Sequence, residues 1–269
     1  MRTAHWRKAD ARVGLVPTMG ALHQGHISLV RFARTECDRV AASIFVNPKQ
    51  FAPTEDLGSY PRREAADLEL LQSSGTDLVF IPTVDEMYPP GFATLVQVHG
   101  LTEGLCGAHR AGHFDGVTTV VAKLLIQTLP DIAYFGEKDY QQLMVVRRLV
   151  RDLDIPVHVA GIPTVRDGDG LALSSRNAYL SLEERRIAPN LAQVLRSVAS
   201  ALARHPGAVA NELARGLREL RDAGFEVDYL EVREEDTLRP VTTYVGARSR
   251  VFGAAQLGKT RLIDNMPIG

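Results

Sequence analysis

The segment Leu15-Val-Pro-Thr-Met-Gly-Ala-Leu-His-Gln-Gly-His-Ile27 carries the reading of the fold. The apolar run Val13 to Val16 just before and within it reads as a short buried strand that Pro17 ends. Gly20 and Gly25 allow close backbone approach. His26 opens a helix that runs to Cys37, with Leu29, Val30, Ala33 and Cys37 on one face. A strand, a glycine turn and a helix in that order put the turn where open α/β sheets bind ligands, at a strand's carboxyl end. The first helical turn offers unpaired N–H groups and a positive dipole end to an anion such as phosphate. His23 and His26 are three apart and project from the same side. Two imidazole donors beside such a site suit phosphoryl or nucleotidyl transfer, in which charge develops on phosphorus oxygens. Plainer readings compete: a histidine at a helix start is often a cap, and His-x-x-His is also a zinc spacing. No cysteine is close in sequence, and no His-Glu-x-x-His pattern is present. There is no Gly-Lys-Ser/Thr to make a Walker A loop, and no Gly-x-Gly-x-x-Gly turn for a dinucleotide.

The alternation continues outward. Val40 to Val46 predicts a strand, Arg62 to Ser74 a helix stopped by Gly75, and Leu78 to Ile81 a third strand. A helix over Val117 to Leu129, a strand over Ile132 to Phe135, a helix over Tyr140 to Leu153 and a strand over Val157 to Ile162 follow. Strands alternating with helices predict a parallel, Rossmann-like α/β sheet covered on both faces. After about Val165 the pattern changes to helices over Leu182 to Arg204 and Ala208 to Ala223. Strands over Phe225 to Val232, Val241 to Val245 and Arg250 to Gly253 come next. The expectation is a first domain over 1–163 and a smaller α+β lid domain over 164–269, hinged at Asp167-Gly-Asp-Gly170.

Composition excludes other classes. The 269 residues carry 31 Lys+Arg against 32 Asp+Glu, a formal charge of −1, and 45% are apolar, so disorder is ruled out. No basic surplus exists for a nucleic acid partner. The apolar run at Val40 to Val46 is far too short for a membrane span. Met1 to Arg12 has no apolar core of a signal peptide, and Cys37 and Cys106 make no disulfide framework, so a cytoplasmic protein is expected.

Three further polar clusters lie past predicted strands. Asn47 and Gln50 follow the second strand, where neutral amides suit hydroxyl or carboxylate groups; Asn-Pro is equally an ordinary turn. Tyr134-Phe-Gly-Glu-Lys-Asp-Tyr-Gln-Gln142 places Lys138 for phosphate, Asp139 for a ribose hydroxyl or a helix cap, and Gln142 one turn on. Leu173-Ser-Ser-Arg-Asn177 gathers two hydroxyls and a guanidinium, a set that suits a triphosphate and equally a solvated loop.

Together, Pro17-Thr-Met-Gly-Ala-Leu-His-Gln-Gly-His26, Phe45-Val-Asn-Pro-Lys-Gln-Phe51, Phe135-Gly-Glu-Lys-Asp-Tyr-Gln-Gln142, Leu173-Ser-Ser-Arg-Asn177 and Arg261-Leu-Ile-Asp-Asn265 resemble the pantoate–β-alanine ligase family, in family order, from about Val13 to Asn265. The resemblance implies joining of pantoate to β-alanine with ATP through a pantoyl adenylate, with Mg2+ and a homodimeric assembly. It implies that Met19, Gly20, Ala21, Leu22, His23, Gln24, Gly25 and His26 line the ATP phosphates, with His26 the proton donor and His23 its partner. Gly136, Glu137, Lys138 and Asp139 would also hold nucleotide, Val165 would touch adenine, and Leu173, Ser174, Ser175 and Arg176 would close on it from the second domain. Gln50 and Gln142 would hold pantoate, with Asn47 beside them. Asp67 is a candidate for metal, against a solvated helix position. The sequence departs from the family pattern in lacking a helix before the first strand and in Ala111, where a proline is common, within the loop that also holds Arg110 and His113. Competing readings are another His-x-Gly-His adenylyltransferase, against which the two glutamine motifs argue, an aminoacyl-tRNA synthetase, and a catalytically silent nucleotide-binding protein.

Overall fold

A computed structural model describes residues 2–53, 55–244, 246 and 248–269 of the chain. They form two compact units, one of residues up to Glu137 with Gln141–Pro163, the other of Lys138–Tyr140 with Thr164–Gly269.

The first unit runs α1 (Arg2–Lys8), β1 (Val13–Thr18), α2 (Gln24–Glu36), β2 (Arg39–Ile44), a 3-10 turn over Pro48–Gln50, α3 (Glu64–Ser73) and β3 (Leu78–Phe80). It continues through α4 (Val84–Met87), α5 (Cys106–His109), α6 (His113–Thr128), β4 (Ile132–Gly136), α7 (Tyr140–Asp152) and β5 (His158–Ile162). The five strands are parallel in the order β3-β2-β1-β4-β5. Successive residues of a strand face opposite sides of a sheet, and Val13, Leu15 and Val16 are all fully buried. The continuous apolar run is therefore the signature of a strand covered on both faces. Val16, Leu29, Val30, Ala33, Val40 and Ile132 share one core beneath α2. The order reverses between β1 and β4, so the switch point at which doubly wound sheets bind ligands lies between the end of β1 and the end of β4 at Gly136.

The second unit contains α8 (Leu182–Ile187), α9 (Asn190–Arg204), α10 (Val209–Asp222) and an antiparallel sheet of β6 (Glu226–Glu234), β7 (Ser249–Leu257) and β8 (Thr260–Ile268). Its core packs Leu191, Leu195, Val198 and Leu202 of α9 with Leu230, Val251, Leu257 and Leu262 of the sheet.

Several expectations are corrected. Pro17 does not end β1: the strand runs to Thr18, because pairing to β4 is confined to Gly14 and Leu15 and the missing donor falls beyond it. The helix over Leu182 to Arg204 is two helices, since Pro189 can neither donate its N–H nor fit an unbroken helix. Val241 to Tyr244 forms no strand; only a bridge from Arg233 to Pro240 precedes it, and Val245 lies outside the described residues. The third strand of that sheet is β8, turning out of β7 through Gly258 at φ +57°. A helix does precede β1, at Arg2–Lys8. The Asp167–Gly170 stretch is a tight turn inside the second unit, closed by the Arg166–Ala172 bridge and fastened to α8 by Arg185, which reaches Asp167 at 2.8 Å and Asp169 at 2.5 Å. The Arg185 guanidinium holds the Asp169 carboxyl below its usual range.

Helix α6 meets the Pro48–Gln50 turn at Gly116, where an added Cβ would stand 2.2 Å from the Lys49 carbonyl oxygen and 2.6 Å from the Gln50 nitrogen. Both obstacles are backbone and neither can swing aside. Gly116→Ala is expected to destabilise the protein by about 1–3 kcal/mol, as overpacked sites do. Urea unfolding checks this, and an unchanged midpoint would show the helix free to shift.

Candidate active site

The turn after β1 is a strained piece of backbone with one brace. Gly20 lies at φ +79° and Ala21, with a side chain, at φ +50°. The Thr18 hydroxyl donates to the Ser43 carbonyl at 2.7 Å and accepts from the Gly20 N–H at 3.2 Å. The next two N–H groups, of Ala21 and Leu22, both donate to the carboxylate of Asp67 on α3, at 2.8 Å each. Asp67 is 2% exposed. The solvated-helix reading of Asp67 is therefore overturned, because its two oxygens each receive a backbone N–H.

The histidines complete the turn. His23 is the N-cap of α2: its Nδ1 accepts from the Gly25 N–H at 3.1 Å. His26 stands at the third helical position, and its Nδ1 accepts from the His23 N–H at 3.4 Å. This is the reciprocal arrangement of a capping box with imidazole in both roles, so the helix starts at Gln24 and not at His26. A ring nitrogen that accepts carries no proton, so in both neutral imidazoles the proton sits on Nε2. The rings lie 4.1 Å apart. Capping therefore engages only one nitrogen of each ring: Nδ1 satisfies the helix terminus, and Nε2–H is the edge of the ring suited to donate to an anionic oxygen.

Gln50, 8% exposed, is held at both ends. Its side-chain oxygen accepts from Asn47 Nδ2 at 3.1 Å, and its Nε2 lies 3.0 Å from Met19 Sδ in the histidine turn. Its carbonyl accepts from His113 Nδ1 at 2.8 Å and from Arg110 at 3.3 Å. Arg110 also donates to His113 Nε2 at 3.0 Å and forms a two-pronged pair with Glu55 at 2.7 and 2.8 Å. These side chains fasten the loop that carries Ala111.

Asn47 has a different place from the one expected. It is 1% exposed; Nδ2 donates to Gln50 and to the Gly116 carbonyl, and Oδ1 accepts from the Lys49 N–H and the Tyr88 hydroxyl. Two donors and two acceptors exhaust a side-chain amide. Asn47 is a bracket behind Gln50, with its hydrogen-bonding capacity spent inside the protein. Of the neighbouring glutamines on α7, Gln141 is buried and spans Leu101, Gly104 and Cys106, whereas Gln142 is half-buried.

In the second unit, Lys138 Nζ lies 3.6 Å from the Asp139 carboxylate, and the Lys138 carbonyl accepts from Asn265 Nδ2 at 3.1 Å. Ser174 caps the 3-10 turn Ser175–Tyr179 by accepting from the Arg176 N–H at 3.2 Å. Leu173 donates its N–H to the Val165 carbonyl at 3.0 Å, which joins two residues that are eight positions apart in sequence. Lys138, Ala172, Ser174, Asn177, Leu262 and Asp264 line one small cleft.

A parallel sheet with a histidine-capped helix at its switch point defines an α/β enzyme of the phosphate-handling type. The family model "Pantoate-beta-alanine ligase" matches residues 1–267. A pantothenate synthetase of Dinoroseobacter shibae is 57% identical over 266 residues, 98% of this chain and 94% of that protein. One from Caulobacter vibrioides is 56% identical over 98% of this chain and 93% of its own length. The crystal structure of pantothenate synthetase from Thermus thermophilus superposes with a TM-score of 0.92 at 53% identity, covering 98% of this chain and 96% of the other. The pantoate-beta-alanine ligase of Francisella tularensis, complexed with beta-gamma ATP and beta-alanine, gives 0.83 at 35% identity over 98% and 94%. The chain belongs to the pantoate-beta-alanine ligase family.

Asp67→Asn keeps the shape of the brace but sets an NH2 group against one of the two N–H donors. We expect a loss of about 1–3 kcal/mol, the cost of one unsatisfied buried donor. A brace, unlike a metal ligand, predicts the same loss in urea unfolding with chelator and with excess magnesium.

Proposed function

We propose that the protein condenses pantoate with β-alanine at the expense of ATP, yielding pantothenate, AMP and pyrophosphate. A pantoate carboxylate oxygen attacks the α-phosphorus and pyrophosphate leaves. The β-alanine amine then attacks the acyl carbon, AMP departs with its oxygen, and the nitrogen loses a proton. The observation that carries this reading is the pair of Nε2–H donors on His23 and His26, preset at a helix N-terminus on the sheet's switch point.

The residues divide the work as follows. Met19 to His26 receive the ATP phosphates. His26, with His23 behind it, donates toward the oxygens that gain charge as pyrophosphate leaves; pyrophosphate is a good leaving group, so the help is as much electrostatic as acidic. Gly136, Glu137, Lys138 and Asp139 hold nucleotide, Lys138 as the cation on phosphate. Val165 touches adenine, and Leu173, Ser174, Ser175 and Arg176 add nucleotide contacts from residues 164–269. Gln50 and Gln142 bind pantoate, and Gln50 also borders β-alanine. Alignment of carboxylate and phosphorus, with water kept from the acyl adenylate, is the protein's main contribution. Magnesium fits as a companion of the ATP phosphates, and the Asp67 carboxylate is engaged by two backbone N–H groups. We place the protein in the cytoplasm as a homodimer.

Pyrophosphate–ATP exchange is expected to require pantoate and to proceed without β-alanine. Exchange that ran equally well on another acid would overturn the substrate. In the same assay His26→Ala is expected to lower turnover at least about ten-fold, equivalent to about 1.4 kcal/mol or more in the barrier. Unchanged turnover in the folded variant would remove His26 from the chemistry.

A further inference from the structure

The direction in which Gln50 turns its amide is set through Asn47 by backbone groups of the turn and of α6. Lys49 N–H can only donate, so the atom of Asn47 facing it at 3.2 Å must be Oδ1. The Gly116 carbonyl can only accept, so the atom 3.0 Å from it must be Nδ2. Asn47 is therefore oriented by backbone partners alone, with no choice of amide flip. Its Nδ2 also meets Gln50 at 3.1 Å, which obliges Gln50 to turn Oε1 inward. The NH2 group of Gln50 is left facing Met19 in the histidine turn. Gln50 is thus presented as a donor, suited to an oxygen of a carboxylate or hydroxyl.

One acceptor position on Asn47 Oδ1 is left by this scheme, and the Tyr88 hydroxyl fills it at 2.8 Å. Tyr88 directly follows α4, and its ring is held edge-on by Phe92 at 5.1 Å, with Phe45 at 6.1 Å and Lys49 Nζ 5.1 Å from the ring centre. Burial pushes its phenol up to about 12, which keeps the hydroxyl protonated and donating throughout the neutral range. Packing from these sides fixes a hydroxyl on the amide that holds Gln50.

We propose that Tyr88 is a positioning residue for the substrate-binding amide of Gln50, acting through Asn47. The proposal rests on the reading of Gln50 as a pantoate ligand. Without the hydroxyl, Asn47 keeps its backbone partners but gains freedom to rock about them, and the donor of Gln50 loses its alignment with the acid.

Tyr88→Phe removes the hydroxyl and keeps the ring. It is expected to raise KM for pantoate about five-fold, the scale of one neutral hydrogen bond, while KM for ATP and kcat stay within roughly two-fold. Gln50→Ala is expected to raise the same KM further. In an Asn47→Ala background, or Asn47→Ser where the alanine variant does not fold, Tyr88→Phe is expected to add nothing. If Gln50→Ala leaves pantoate KM unchanged, the reading of Gln50 fails and the proposal with it. If Gln50→Ala raises it and Tyr88→Phe does not, the proposal alone is overturned. An equal effect of Tyr88→Phe with and without Asn47 overturns the relay.

Discussion

Two consecutive amide N–H groups, of Ala21 and Leu22, point into the single carboxylate of Asp67, and they do so where the backbone has left its ordinary conformations. A non-glycine residue at positive φ costs of order 1 kcal/mol or more and persists only where its surroundings enforce it. The enforcement here comes from another helix, α3, through one buried anion. The turn in its register sets the start of α2, and that start sets the rings of His23 and His26. Gly20 is required at the same spot for two reasons, its φ of +79° and the 3.0 Å that would separate an added Cβ from Asp67.

In the histidine pair the structural reading and the proposed chemical one do not compete, because capping engages one nitrogen of each ring. Serine and glutamate make the usual capping box, but neither would leave a second donor on the same group. Imidazole has two nitrogens on opposite edges of one rigid ring, so satisfying the helix with Nδ1 fixes the ring and its tautomer together. Preorganisation of this kind needs no reorientation when charge develops.

Much of this is legible in the sequence. Both faces of β1 are buried and its residues are uniformly apolar; the glycines and histidines of the turn stand where strand gives way to helix. Failures have physical causes. Pro189 interrupts a run whose apolar spacing is continuous, so periodicity alone joins α8 to α9. The last strand, β8, hides because Asp264 and Asn265 are adjacent and both only 3% exposed, which destroys the alternation that marks a half-buried strand. Their burial is made possible by distant partners, Arg166 for Asp264, at 2.6 and 2.9 Å, and Arg250 for Asn265. Asp67 misleads because its partners, Ala21 and Leu22, lie far away in sequence, and Asn47 because two of its four, Gly116 and Tyr88, do; residue type then suggests solvent or ligand when the fold has supplied partners of its own. Tyr88 carries no signal at all beyond a lone aromatic before two prolines.

The contact between Asn265 and the Lys138 carbonyl spans 127 positions of chain. It makes the lysine segment, encoded in the middle of the sequence directly after a sheet strand, a member of the unit that is synthesised last. A nascent chain that has emerged as far as β5 holds every strand of the parallel sheet, yet the Asn265 amide that donates to the Lys138 carbonyl has still to be made. Ordering of that lysine is therefore tied to the arrival of β8. Vectorial synthesis can complete the sheet early, but the contact that Lys138 makes with Asn265 can form only at the end of translation.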